Sequence, residues 1–264
     1  MNEPRKRWTE EETKLALFLY FQLPFGQLHS GNPEIQKLAS ILGRTNSSVA
    51  MKLANFASLD PKITESGRKG LQGASAQDRS VWAQFSGDWT TQIEEAELAW
   101  NANDSDLSNG SPRLREDVRP FAFEPYDGPS TAATTVERRV GQDFFRRAVL
   151  ANFENTCCIT GIAEPSLLNA SHIVPWGIDV KNRHNPANGL CLSATLDRAF
   201  DRGLITIDGS LTILISRSLS NHTSKRTRDF FSPFQGIGIS PSTRFEPDPV
   251  FLNWHRNERF VDAK

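Results

Sequence analysis

Apolar positions in the first 60 residues recur at intervals of three and four between residues that start and stop helices. Thr9 ahead of Glu10, Glu11 and Glu12 predicts a helix start: Thr9 caps, Glu12 three residues on closes a capping box, and the acidic cluster suits the positive helix end. Leu15, Leu17, Phe18, Leu19 and Phe21 carry this helix up to Pro24. A second is expected after the cap Asn32, with Pro33 at its first position, through Ile35, Leu38, Ala39 and Leu42 to a stop at Gly43. Thr45 or Asn46 caps a third, with Val49, Leu53 and Phe56 on one face. Helix, tight turn and helix outline a helix-turn-helix. Residues 58–80, rich in Gly, Ser, Lys and Asp, read as a loop. Trp89 to Trp100 reads as another amphipathic helix, with Ile93, Ala96 and Trp100 on one side. From Asn101 to Thr135 the chain has no helix or strand period and reads as a linker.

The pattern then changes. Phe144 to Leu150 begins a helix, and Cys158-Ile159-Thr160-Gly161 reads as a short strand ending in a turn. Asn169 to Trp176 is an apolar strand-like run with one histidine, His172, set in it. A polar loop from Lys181 to Asn185 leads to Asn188-Gly189-Leu190-Cys191-Leu192. Leu196 to Arg202 reads as a helix capped by Gly203, Leu204 to Gly209 opens a hairpin, and Leu211 to Ser216 closes it. Lys225-Arg226-Thr227-Arg228 reads either as a strip along a nucleic-acid backbone or as a solvated loop. Pro233 to Pro249 is a loop-rich tail, and Leu252 to Arg256 a last helix. The expected class is α+β: a helical module over 1–100, an acidic linker over 101–135 and a mixed domain over 136–264.

Length and composition suffice for one large domain or two smaller ones with cores: 264 residues, 38% hydrophobic and 23% charged. Apolar runs fall short of a membrane helix, and the opening Met-Asn-Glu-Pro-Arg-Lys-Arg-Trp has no apolar core, so neither a spanning nor a secreted protein is expected. Three cysteines, two of them adjacent (Cys157, Cys158), suit buried thiols in a reducing cytoplasm rather than a disulfide framework or a zinc site. Net charge is only -1, but it is unevenly spread. Residues 1–70 carry 10 Lys+Arg against 7 Asp+Glu, residues 71–135 carry 4 against 11, and residues 136–264 carry 16 against 13. Basic ends around an acidic middle are compatible with a nucleic-acid partner without demonstrating one.

Five segments in order resemble one family: Phe144-Phe145-Arg146, Cys158-Ile159-Thr160-Gly161, Ala170-Ser171-His172-Ile173-Val174-Pro175-Trp176, Asn188-Gly189-Leu190 and Phe200-Asp201-Arg202-Gly203. Together they resemble the HNH nucleases of the beta-beta-alpha metal superfamily, in the branch found in restriction-type, defence-associated endonucleases. The region from Trp8 to Pro61 looks like the amino-terminal module that accompanies this nuclease in some bacterial restriction endonucleases. The resemblance implies that His172 is the general base and that Asn188 holds the loop and orients it. Nine residues beyond Asn188 stands Asp197, at the family's third ligand position. Ser171 replaces the metal-binding residue that often precedes the base, so the cation shell is expected to rest on Asp197, Asp201, Ser171 and water. Asp201 reads equally as a ligand and as a residue that fixes Arg202 or the helix end. Such an oxygen-rich shell favours Mg or Mn over Zn. His172, Asn188 and Asp197 are expected to converge around the cation, with Arg183, Arg198 and Arg202 gripping phosphates.

The function expected is therefore a metal-dependent endonuclease acting on double-stranded DNA. Imidazole suits the base role because its ordinary pKa of about 6.5 leaves much of it unprotonated at neutral pH. A phosphodiester site of this kind reads backbone rather than bases, so target selection falls to the amino-terminal module, with Arg44, Ser47, Ser48 and Lys52 as its first candidates. A cut in both strands implies two copies, hence a homodimer. The alternatives are a DNA-binding regulatory protein on a nuclease scaffold that has lost activity, suggested by Ser171 and the missing third histidine, and a protein-interaction module using the helical end.

Overall fold

A computed structural model describes residues 6–107 and 132–262 of the chain. It combines helices with two small antiparallel sheets, an α+β composition. The chain divides into two compact units, one comprising residues up to 60 with 66–144, the other 61–65 with 145–264.

The first unit opens with α1 (Glu10–Gln22), α2 (Pro33–Leu42) and α3 (Asn46–Ala57). Their starts follow the local chemistry. Thr9 and Glu12 form the reciprocal capping box, Asn32 accepts from the Glu34 and Ile35 amides, and Thr45 accepts from the Ser48 amide. Gly43 ends α2 in the left-handed conformation at φ 58°, which glycine adopts without strain. Residues 58–80 are not all loop. A short α4 (Pro61–Glu65) belongs to the second unit, and α5 (Ala76–Gly87) begins at a second capping box, formed by Ser75 and Asp78. Next comes α6 (Trp89–Leu107), so the first residues of the expected linker are helical. The rest of that linker, up to residue 131, lies outside the described residues. The core of the unit is aromatic: Tyr20, Phe21, Phe56, Trp82, Phe85 and Trp89 pack with ring centroids 4.9 to 6.5 Å apart.

Helix α7 (Ala132–Asn152) starts well before the expected Phe144. In the second unit its last turns face a two-stranded ribbon of β1 (Leu168–His172) and β2 (Gly189–Ser193), with α8 (Ala194–Asp201) packed against both strands. Residues 158–160 form a turn instead of the expected strand; the amide of Cys158 bonds to the Cys191 carbonyl, outside any ladder. All three cysteines are free and buried. A second hairpin pairs β3 (Ile205–Ile207) with β4 (Ile213–Ile215). Helices α9 (Arg217–Ser220), α10 (Lys225–Phe231) and α11 (Pro249–Glu258) complete the unit. The basic run at 225–228 is thus the start of a helix capped by Ser224. Phe200, Ile205, Leu190, Leu192 and Leu196 lie in one apolar core, which fixes α8 and both hairpins relative to one another.

Candidate functional site

The β1–β2 ribbon sets the site. Its register pairs Asn169 with Leu192, Ser171 with Leu190 and His172 with Gly189. Side chains alternate along a strand, so Asn169 and Ser171 share one face and His172 takes the other. On the first face, the Asn169 amide nitrogen donates to Asp197 Oδ2 on α8 at 2.8 Å. Ser171 is buried, and its Oγ has no hydrogen-bond partner.

On the second face the His172 ring lies flat on Phe145 of α7, centroids 3.6 Å apart and planes 9° from parallel, with Trp176 edge-on at 5.6 Å. His172 Nε2 is 2.9 Å from the Arg183 carbonyl. A carbonyl only accepts, so this nitrogen carries the proton and Nδ1 keeps its lone pair. Burial lowers the imidazole to about 4, against the opposing pull of that carbonyl. The free-base form is therefore the resident one at neutral pH. Gly189, across the ribbon from His172, is required by space: a Cβ there would lie 2.3 Å from Val149 Cγ2 and 2.9 Å from Phe145 Cζ.

Asn188 is buried and works on backbone at two places. Its Oδ1 accepts from the Val174 amide at 2.8 Å, and its Nδ2 donates to the Val174 carbonyl at 3.0 Å and the Asn182 carbonyl at 3.3 Å. The amide thus ties the segment just after His172 to the loop residue just before Arg183, whose carbonyl meets the imidazole. Arg183 lays its guanidinium over Trp176, 5.1 Å from the ring centroid. Its neighbour His184 is fully buried edge-on against Trp176 at 4.9 Å, and neither ring nitrogen has a hydrogen-bond partner. Burial first, then the Arg183 and His172 charges, lower it to about 3.

Helix α8 turns Leu196, Ala199 and Phe200 into the core and leaves Asp197 and Asp201 one turn apart. Asp201 is exposed, yet crowding around its carboxyl and then the Asp197 charge push it up to about 6, with Arg198, Arg259 and Arg202 pulling the other way. Arg198 and Arg202 are exposed.

The expected convergence of His172, Asn188 and Asp197 does not take that form. His172 faces α7 while Asp197 meets the opposite face of the same strand, and Asn188 acts through backbone; the alternation of a strand separates them. Among the described residues no three His, Cys, Asp or Glu side chains gather as a metal cage. The donors present are oxygens of another kind: two carboxylates, the Ser171 hydroxyl and the Asn169 side chain. Asn169 was legible as a site residue, since it sits two positions before Ser171 and so shares its face.

In the first unit, Arg44 and Lys52 are not free for phosphates. Arg44 pairs with Glu12 at 2.7 Å, donates to the Lys6 and Arg7 carbonyls and stacks 4.2 Å from the Trp8 centroid. Lys52 pairs with Asp78 at 2.6 Å, with both side chains buried, and its Nζ sits 4.7 Å from the Trp8 ring centroid. Glu12, though burial alone would raise it, is held at about 2 by Arg44, the Thr9 amide and Lys6. Two cations around one indole therefore hold α1, α3 and α5 together. Ser47 is exposed and Ser48 half-buried at the start of α3.

No curated protein matches the chain. The family model described as HNH endonuclease matches residues 157–208, the stretch that contains the β1–β2 ribbon, α8 and β3. That segment, with His172, Asn188 and Asp197 in it, belongs to the HNH endonuclease family.

Proposed function

We propose that the chain is a divalent-metal-dependent endonuclease of the restriction type that hydrolyses phosphodiester bonds of double-stranded DNA. One observation carries this reading: a half-buried imidazole whose Nε2 proton is committed to the Arg183 carbonyl and whose Nδ1 lone pair is left available, at the end of the ribbon in the family-matched segment. His172 takes a proton from the attacking water through Nδ1. Phe145 holds the ring plane, the Arg183 carbonyl fixes the tautomer, and Asn188 keeps that carbonyl in register with the strand end. Arg183, Arg198 and Arg202 are the cationic groups offered to the phosphate.

Asp197, Asp201 and Ser171 fit a hard cation such as Mg or Mn. A buried hydroxyl without a partner, a carboxylate turned to the same strand face and a second carboxylate raised toward neutrality by desolvation and then by the first are what a cation relieves. When bound, a divalent ion neutralises charge on the phosphate and the leaving oxygen.

The helical unit is the candidate for target selection, through the start of α3 at Ser47 and Ser48. Arg44 and Lys52 contribute to its fold instead. Residues 1–135 carry 14 Lys+Arg against 18 Asp+Glu, so the phosphate affinity of the helical unit is expected to be weak beside that of the arginine-bearing nuclease unit. A break in both strands calls for two copies, so a homodimer on DNA is the proposed working form. No helix of the described residues is long and apolar enough to cross a membrane.

The test is plasmid cleavage with Mg²⁺ or Mn²⁺ by the wild type and by His172→Ala. Loss of about 10²- to 10⁴-fold in rate is expected. Equal cutting by both removes the assignment. DNA binding without cutting under any divalent ion establishes the inactive, DNA-binding alternative.

A further inference from the structure

We propose that Asn169 is a positioning residue of the cation site: its amide group holds the Asp197 carboxylate by one oxygen and so presents the other beside the Ser171 hydroxyl. The inference rests on the metal-dependent reading above and adds a residue to it.

The geometry has three parts. Asn169 Nδ2 donates to Asp197 Oδ2 at 2.8 Å, joining β1 to α8 across 28 residues of chain. An ionised carboxylate offers only lone pairs, so the amide must turn its nitrogen toward Asp197. Asp197 Oδ1 and Asn169 Oδ1 have no other hydrogen-bond partner among the described residues, so each keeps acceptor capacity on this face. Ser171, two positions along the strand and on the same side, is 2% exposed with an Oγ that bonds to nothing. A buried hydroxyl left unpaired is unfavourable by itself, and this one lies on the face that also carries a tethered carboxylate.

A purely structural tie between strand and helix is satisfied once the hydrogen bond is made. It does not account for the unpaired hydroxyl two positions along the same strand face. A hard cation accounts for both, because it takes oxygen lone pairs from carboxylate, hydroxyl and amide alike. Residues that orient ligands typically change metal affinity by about 10- to 100-fold when removed.

The experiment measures Mn²⁺ binding to the full chain by electron paramagnetic resonance of the free ion. It also measures the Mn²⁺ concentration giving half-maximal plasmid cleavage. Wild type, Asn169→Ala, Asn169→Ser and His172→Ala are compared, and melting without metal checks their folding. Asn169→Ala is expected to weaken Mn²⁺ binding by about tenfold or more. The half-activating concentration should rise by the same factor, with cleavage at saturating ion within a few-fold of wild type. Asn169→Ser, too short to reach Asp197, should behave alike and serves should the alanine variant fail to fold. His172→Ala should bind Mn²⁺ as the wild type does and not cut. Wild-type Mn²⁺ affinity in folded Asn169 variants overturns this inference and leaves the metal-dependent reading standing. A wild type that binds no Mn²⁺ overturns both. A wild type that binds Mn²⁺ in an Asn169-dependent way without cutting DNA overturns the endonuclease reading and supports this one.

Discussion

His172, half-buried, and His184, fully buried, are two imidazoles in one loop-and-strand corner with opposite hydrogen-bonding situations. His172 has a carbonyl for its proton, whereas His184 has neither a donor nor an acceptor near its nitrogens. The first situation predicts a pH profile. With saturating Mn²⁺, cleavage should lose rate only as pH falls toward about 4, where His172 gains its proton, rather than near the ordinary 6.5. An acid limb at the ordinary histidine value, measured as kcat/KM against pH, would show that another group is the base. The second situation predicts a gain in stability. A polar ring buried without partners forfeits about 1–3 kcal/mol. His184→Leu, similar in volume and without polar atoms, should therefore raise the melting temperature, and a fall of several degrees would show that the ring has a polar partner after all.

At the scale of elements, the ribbon and the helices that flank it depend on close approach and on tethers. Gly189→Ala would drive a methyl into Val149 and Phe145, which pack beneath His172, and overpacking of this kind destabilises by about 1–3 kcal/mol. Urea unfolding should register that loss together with a cleavage defect; an unchanged midpoint would mean that α7 does not lie so near. In the helical unit, Lys52→Ala leaves Asp78 buried without its partner. The expected destabilisation is about 3–5 kcal/mol. Were Lys52 instead a phosphate contact, the same variant would lower DNA affinity with its melting temperature intact.

Element boundaries were legible wherever the signal was local. The capping box at Thr9 and Glu12, the Asn32-Pro33 start and the Gly43 stop are short-range chemistry that needs no tertiary context. The helix at Ala76–Gly87 carried the same signal in Ser75 and Asp78, but the Gly- and Ser-rich surroundings masked it. The strand expected at Cys158 failed for the reverse reason. Cys158 is buried and Ile159 half-buried, but in a turn whose backbone bonds reach Cys191 without forming a ladder. Arg44 and Lys52 looked like surface cations because nothing in their neighbourhood of the chain reveals Glu12, Asp78 or Trp8 as partners.

For the whole molecule, desolvation holds three histidines of the nuclease unit below their ordinary range: His172 at about 4, His184 at about 3 and His255 at about 4. His255 is stacked on Phe200 and bonded to Thr206 Oγ1 and the Phe200 carbonyl, so its role is to join α11 to α8 and β3. In the unfolded chain all three take up protons near 6.5, whereas the folded unit resists doing so until about 4. Stability is thus fully present above pH 6.5 and is lost progressively as pH falls toward the folded values. Melting curves at pH 7.5 and 5 should show the difference, and identical curves would mean that these rings are solvated.

By itself, the order of residues determined that a nuclease motif is present, which side chains it contains and where α1 and α2 begin and end. These are properties of spacing and of neighbours within a few positions, where hydrogen-bonding partners are close along the chain. Only the tertiary structure decided which strand face each motif residue occupies, that Asn169 meets Asp197 across the ribbon, and that Arg44 and Lys52 are internal. Those outcomes depend on pairing between groups 26 to 32 residues apart, as in Lys52 with Asp78 and Arg44 with Glu12. The chain meets such partners only when burial of the apolar cores brings its distant segments together.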